Sequence, residues 1–329
     1  MISEKDFHFL IEKERKIIDA KLKKVLAKRK PRSLYEPSDY ILADQGKRLR
    51  PLLVLFSAKA AGGTHKQAYN AALAVEMLHN FTLVHDDIMD NADKRRNKQT
   101  IHVKYDVNTA ILVGDSLLAV AYEYLLKDLI VPGNNVLIAF TKGLVEVCEG
   151  QSLDKEFELK KTVSINEYLK MITKKTAALM EMCCSIGAQI GGGTPAEIKA
   201  LSRFGKFLGI AFQIQDDLLD LTGEEDAFGK KIGGDLIEGK KTFLFLKALE
   251  KAKGKERSAL EKIIMQKGIP LSEIYEYKKL YQRLGVFEEA QKAILTYTRK
   301  ALRQIIYLKN EEDRKHLTYL AYSLIKRTT

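Results

Sequence analysis

Apolar side chains along this sequence recur at three- and four-residue intervals rather than at alternate positions, the spacing that lets one face of an α-helix meet a core. Residues 3–29 read as a charged amphipathic helix ending in the Pro31 to Pro37 region. A basic turn, Gly46-Lys47-Arg48-Leu49-Arg50-Pro51, then leads into the apolar run PLLVLFSAKAA. After Gly62-Gly63, Thr64 is placed to cap a helix that carries AALAVEMLHNFTLVHDDIMD and frays at Asn91-Ala92-Asp93 into KRRNKQT. The pattern predicts further helices over about 104–130 and 135–159, separated by Pro132-Gly133-Asn134, and another from Ser164, whose Glu167 completes a capping box. Gly191-Gly192-Gly193 breaks the series, and Thr194-Pro195-Ala196-Glu197 starts a helix that runs to Asp220. A glycine-rich loop, GEEDAFGKKIGG, follows, and the rest reads as more helices, with Ser258 to Glu261 as one further capping box. No linker-like stretch or tandem repeat interrupts this order, so the expected fold is a single all-α domain over residues 1–329.

Composition agrees. Of 329 residues, 46% are apolar and 30% charged, with only 6 prolines and 21 glycines, which excludes disordered, collagenous and low-complexity chains. The net charge of +12 suits a substrate or partner bearing phosphates, and equally a lysine-rich solvated surface. Cys148, Cys183 and Cys184 give neither a disulfide framework nor metal-ligand spacing. The first residues are charged where a signal peptide needs an apolar core, and no uncharged apolar run of about 18 residues occurs. The expected setting is the cytoplasm, with no stable membrane insertion.

The candidate chemistry lies in a pattern that occurs twice, DDIMD at 86–90 and DDLLD at 216–220. In each, the outer aspartates stand four residues apart, about 6 Å along a helix axis and on nearly one face. Such a clamp of hard oxygen donors, without spaced His or Cys, suits magnesium shared with substrate phosphates and disfavours a caged zinc. Both pentads follow strongly apolar sequence, so the carboxylates are expected at the rim of a buried space. Lys47, Arg48, Arg50, Arg95, Arg96, Lys174, Lys175, Lys230, Lys231, Lys240 and Lys241 are available to offset this negative charge or to hold a polyphosphate.

These residues carry a resemblance. From GKRLRP to EGKKT the chain resembles the trans-type isoprenyl diphosphate synthases, with the motifs in family order: Gly46 to Pro51, His79, Asp86 to Asp90, Arg95-Arg96, Gly114-Asp115, Gly150-Gln151, Lys175-Thr176, Phe212-Gln213, Asp216 to Asp220, and Lys230 with Lys240. The resemblance implies one large antiparallel helical bundle around a central cavity, and magnesium-dependent head-to-tail condensation of isopentenyl diphosphate with an allylic diphosphate (dimethylallyl, geranyl or farnesyl). It further implies that Asp86, Asp87, Asp90, Asp216, Asp217 and Asp220 form the metal clusters, with three Mg2+ per site. Arg95, Lys175, Thr176, Gln213, Lys230 and Lys240 would serve the allylic diphosphate, with Thr176 and Gln213 turning oxygens toward a developing carbocation. Lys47, Arg50, His79 and Arg96 would hold isopentenyl diphosphate. Family members are usually homodimers, and no nucleic acid is involved.

Product length in this family is set by side chains before the first pentad. Phe81, with no insertion in the pentad, resembles archaeal-type geranylgeranyl diphosphate synthases, while a farnesyl or mixed product and an ordinary core phenylalanine stay open. By helical register Thr82, rather than Phe81, shares the stripe of Asp86. One departure stands out: the family continues Arg-Arg-Gly with a proline two residues on, whereas Asn97 and Gln99 stand here. Asparagine tolerates positive φ, so the turn is expected to form.

Rival readings are thinner. The His85-Asp86 doublet suits a metal phosphohydrolase but leaves the second pentad unexplained. A catalytically silent partner subunit would not need both pentads. The glycine-rich loop misses P-loop spacing. The closing Lys326-Arg327 reads as a frayed solvated tail.

Overall fold

The computed structural model describes residues 4–43, 46–127, 135–223 and 232–325. Among them the structure is all-α apart from one short hairpin, β1 (Lys94–Arg95) paired antiparallel with β2 (Lys98–Gln99). Two compact units form, one comprising residues through Thr141, Met182–Ser202 and Ile305–Tyr319, the other Lys142–Glu181, Arg203–Gln304 and the chain from Leu320.

The first unit contains α1 (Glu4–Val25), α2 (Arg32–Leu42), α3 (Leu49–Ala60), α4 (His65–Met89), α5 (Ile101–Lys104) and α6 (Val107–Lys127). Thr64 caps α4 as expected, and Gln67 completes the box by accepting from the Thr64 N–H at 2.8 Å. Ala68, Ala71, Ala72 and Ala74 line the buried face of α4, and such small side chains let neighbouring helices approach closely. On α6, Gly114 lies under the His85 ring, whose Nε2 is 3.5 Å from the Ile111 carbonyl oxygen. His85 is thus packed between α4 and α6. Helix α6 is the one described helix long and apolar enough to cross a membrane, with 39% of its most apolar window buried within the protein. Two differences from the sequence reading arise here. Pro37 lies inside α2 instead of ending a helical stretch, and Asp106 breaks the expected 104–130 helix, its Oδ1 accepting the Thr109 N–H at 2.8 Å to cap α6.

The second unit is built on α7 (Asn135–Leu159), α8 (Ile165–Ile172), a five-residue π-helical turn (Thr173–Ala177) leading into α9 (Ala178–Ile190), and α10 (Pro195–Thr222). It continues through α11 (Gly234–Ile237), α12 (Phe243–Lys251), α13 (Gly254–Gln266), α14 (Ile274–Arg283) and α15 (Val286–Gln304); α16 (Glu311–Ile325) closes the chain. The unit boundaries fall within α7, α9, α10 and α16 and between α15 and α16. Ile172, Ile214, Leu218, Phe243, Phe245, Leu260, Tyr281 and Val286 form the core of the second unit. The capping boxes at Ser164 and Thr194 are present, with Glu167 Oε2 and Glu197 Oε2 accepting from the cap N–H groups at 2.8 and 2.9 Å. The one expected at Ser258 is not: α13 starts a turn earlier, and the Ser258 hydroxyl donates back to the Gly254 carbonyl within the helix. The separator Pro132-Gly133-Asn134, most of the glycine-rich loop with Lys230 and Lys231, and Lys326-Arg327 lie outside the described residues.

Candidate active site

The first pentad closes α4. Asp86 is half-buried, Asp87 is 1% exposed, and Asp90 is exposed at the position that caps the helix. A helix C-terminus already carries partial negative charge, so three carboxylates there need a cation. Arg95 supplies it, its Nε and Nη2 lying 2.8 and 2.7 Å from Asp87 Oδ1. Burial pushes the Asp87 carboxyl up from the ordinary range, against the pull of Arg95. This contact ties the hairpin to α4, and the two-residue turn between the strands has φ 50° at Arg96 and 63° at Asn97. Positive φ at both central residues is the hairpin geometry asparagine accommodates, so the turn forms without the family's glycine and proline.

Around that turn the structure brings together most of the residues assigned to isopentenyl diphosphate. The Arg96 guanidinium lies over Gly46, with Nη1 3.0 Å from where a Cβ would stand. Arg50 Nη1 is 2.9 Å from His79 Nε2. A guanidinium can only donate, so His79 Nε2 accepts and the imidazole proton resides on Nδ1, a buried atom with no protein partner among the described residues. Burial, then the charges of Arg50, Arg96, Arg95 and Arg48, hold the His79 pKa well below its usual value. Neutral His79 therefore offers an N–H rather than a charge. Lys47 is exposed on the same loop. Arg48, counted among the available bases, is instead buried against Asp19 and Glu76.

In the second unit α10 carries the other pentad. Asp217 is 5% exposed, and its oxygens are met by protein donors: Oδ2 accepts the Tyr168 hydroxyl at 2.5 Å and the Phe243 N–H at 2.9 Å, and Oδ1 accepts the Gln213 amide at 3.0 Å. Burial and nearby Asp235 push its carboxyl pKa up, and the three donors oppose them. Because Gln213 donates to Asp217, its amide oxygen points back to receive the Thr176 hydroxyl at 2.7 Å. Asp220 Oδ2 accepts the Asp235 N–H at 3.1 Å. Asp87 and Asp217, grouped with the metal ligands in the sequence reading, thus each anchor a pentad through protein donors, while Asp86, Asp90 and Asp216 are left half-buried or exposed.

Lys174, Lys175 and Thr176 sit on the π-helical turn, a wider coil that re-aims side chains relative to the helices around it. The turn packs closely on α7: a Cβ at Gly150 would stand 2.1 Å from the Lys175 nitrogen, so only glycine lets the two backbones lie this close. Lys175 Nζ is 2.6 Å from Asp154 Oδ2, one turn along α7. Gly150→Ala is accordingly expected to destabilise the fold by about 1–3 kcal/mol through overpacking, seen as a lower melting temperature, and to depress turnover by displacing Lys175. A melting curve beside a rate measurement checks both. Lys240 pairs with Glu238 at 2.6 Å, and Lys241 is buried with Nζ donating to the Phe157 carbonyl at 2.7 Å. Phe81 is 9% exposed, its ring centroid 4.7 Å from that of His85, and the Thr82 hydroxyl donates to the His79 carbonyl at 2.8 Å.

Among the described residues no three His, Cys, Asp or Glu side chains close into a metal cage. The donors on offer are carboxylates in i, i+4 pairs on helix faces. That set fits a hard ion that keeps water and completes its shell with substrate oxygens, and misfits a closed zinc centre.

The profile of the polyprenyl synthetase family matches residues 31–284. The geranylgeranyl diphosphate synthase of Sulfolobus acidocaldarius is 40% identical over 89% of this chain and 91% of its own. Among solved structures, a geranylgeranyl pyrophosphate synthetase from Pyrococcus horikoshii Ot3 is 38% identical with a TM-score of 0.90, covering 98% of this chain and 99% of that one. A polyprenyl synthase from Caulobacter crescentus CB15, complexed with calcium and isoprenyl diphosphate, is 27% identical with a TM-score of 0.91, covering 99% and 98%. With its all-α isoprenoid synthase fold and its paired aspartate pentads, the chain belongs to the polyprenyl synthetase family and is a prenyltransferase of the isoprenyl diphosphate synthase type.

Proposed function

We propose that this prenyltransferase is a magnesium-dependent geranylgeranyl diphosphate synthase, adding isopentenyl diphosphate head to tail onto dimethylallyl, geranyl or farnesyl diphosphate. The observation that carries the reading is the division of labour within each pentad: a buried inner aspartate held by protein donors, flanked by outer carboxylates on one helical face. The twenty-carbon product rests on Phe81 with no insertion in the pentad and on relatives named for that product.

In the reaction the allylic carbon–oxygen bond breaks, with its electron pair leaving on diphosphate. The isopentenyl double bond then forms the new carbon–carbon bond at the cationic carbon, and a proton is lost to the released diphosphate. Asp86, Asp90, Asp216 and Asp220 are the residues that would hold magnesium, three ions per site, which supply positive charge to the diphosphate oxygens. Lys175, Lys230, Lys240 and the edge of Arg95 not turned to Asp87 bind the allylic diphosphate. Their attraction grows as charge develops on it, and that difference is what lowers the barrier. Thr176 and Gln213 present oxygens, fixed by the Asp217 hydrogen bonds, to the cation. Lys47, Arg50, Arg96 and the Nδ1–H of neutral His79 orient isopentenyl diphosphate, replacing a bimolecular encounter by a positioned one. The enzyme acts as a cytoplasmic homodimer, and Val107 and Ile111, exposed one turn apart on α6, offer an apolar surface for a second copy.

The two substrate sites separate by kinetics. Arg96→Gln is expected to raise the KM for isopentenyl diphosphate with little change in kcat, and Lys175→Gln to lower kcat through the leaving group. Steady-state rates with each substrate varied in turn check this; equal effects of both changes on both substrates would overturn the assignment.

A further inference from the structure

Arg48 stands between two residues assigned to isopentenyl diphosphate, yet it is only 4% exposed and adopts left-handed backbone geometry, with φ 49° and ψ 34°. For a residue with a Cβ that conformation is unfavourable, so surrounding contacts must impose it. They are visible. Nε donates to Asp19 Oδ1 on α1 at 2.7 Å, Nη1 to Glu76 Oε1 on α4 at 2.6 Å, and Nη2 to the Leu42 carbonyl ending α2 at 3.1 Å. One planar fork thus joins three helices. Glu76 is itself 4% exposed, and a buried ion pair persists only when hydrogen bonds compensate lost hydration.

The same contacts surround the proposed subsite. Glu76 lies one turn before His79 on α4, and His79 meets Arg50. Asp19 lies one turn after Arg15 on α1, whose Nη2 donates to the Gly46 carbonyl at 3.4 Å. Gly46 in turn lies beneath Arg96. With two carboxylates on its fork, Arg48 is directed away from any phosphate, while Lys47 before it stays exposed. Arg48 turns inward at the start of α3 while Lys47 just before it faces outward.

We propose that Arg48, through Asp19 and Glu76, is a positioning residue for the isopentenyl diphosphate subsite: it fixes the backbone of residues 46–50 so that Lys47 and Arg50 converge on that diphosphate. The inference rests on the functional reading above. It predicts a loss concentrated on one substrate, because Lys175, Thr176, Gln213 and Lys240 lie on other segments of the chain and Arg95 is held separately by Asp87.

The test is kinetic, on the full-length chain with magnesium and each substrate varied in turn. Arg48→Lys keeps the charge and loses the fork; it should raise the KM for isopentenyl diphosphate about tenfold, leaving kcat and the allylic KM within about twofold. Asp19→Asn, at a more exposed carboxylate, should move the same constant about threefold in the same direction. Unchanged constants, or a fall in kcat with both KM values shifted alike, would overturn the proposal, the latter marking a general structural role. Should Arg48→Lys fail to fold, Asp19→Asn decides by the same readout. Arg50→Gln separates the two levels: if it leaves the isopentenyl KM unchanged, the subsite itself is misassigned, whereas a raised KM there with none for Arg48→Lys and Asp19→Asn overturns this inference alone.

Discussion

Asp86→Asn and Asp216→Asn are each expected to cut magnesium-dependent condensation by at least about 10³-fold, with helical circular dichroism unchanged and the melting temperature shifted little. Both side chains are half-buried at the ends of helices and outside the hydrophobic core, so the loss falls on metal and substrate charge rather than on folding. The adjacent residue should behave oppositely. Asp217 accepts from Tyr168, Gln213 and the Phe243 N–H, and an asparagine there turns an NH2 group toward at least one donor. Leaving a buried donor unpaired costs about 1–3 kcal/mol, so Asp217→Asn should show a clear drop in melting temperature. If Asp86→Asn or Asp216→Asn kept wild-type rates at saturating magnesium, the assignment of that pentad would be wrong.

The second large effect concerns product length. Phe81→Ala is expected to move the product distribution beyond twenty carbons by removing a bulky ring just before the first pentad. Phe81 is largely buried and packs on His85, so some stability is lost as well; a full core phenylalanine truncation costs about 3–5 kcal/mol. A purely structural Phe81 predicts the lower melting temperature with the product unchanged. Thr82→Ala, which removes less volume and a hydroxyl already bonded within its own helix, should lengthen the product less. Chromatography of the dephosphorylated products beside a melting curve separates the two outcomes.

What could be read from the sequence was what local physics encodes. The caps at Thr64, Ser164 and Thr194 are decided within four residues, and the structure has them. Ser258 fails for the same reason it looked convincing: Ser-x-x-Glu also fits a helix interior, and nothing local says that α13 has begun at Gly254. The i, i+4 spacing put the outer aspartates on one face, but their burial depends on tertiary partners. Tyr168 lies 49 positions from Asp217, and no periodicity announces that pairing. Asp154 carried no motif of its own, although its place one turn after Gly150 was a usable signal. Gly150 carries no local sign of its role, because that role is the close approach of the Lys175 backbone. Arg48 shows the limit from the other side: in sequence it is one more base beside Lys47, and only Asp19 and Glu76 distinguish it.

The most direct test of the central claim is to incubate the purified protein with isopentenyl diphosphate and, separately, dimethylallyl, geranyl and farnesyl diphosphate, with and without magnesium, and to identify the dephosphorylated products by chromatography. One diphosphate is expected to be released per five-carbon addition, with strict dependence on magnesium and geranylgeraniol as the principal end product from every accepted starter. Release of inorganic phosphate without chain growth, elongation that stops at fifteen carbons, or no condensation with any starter would contradict that claim.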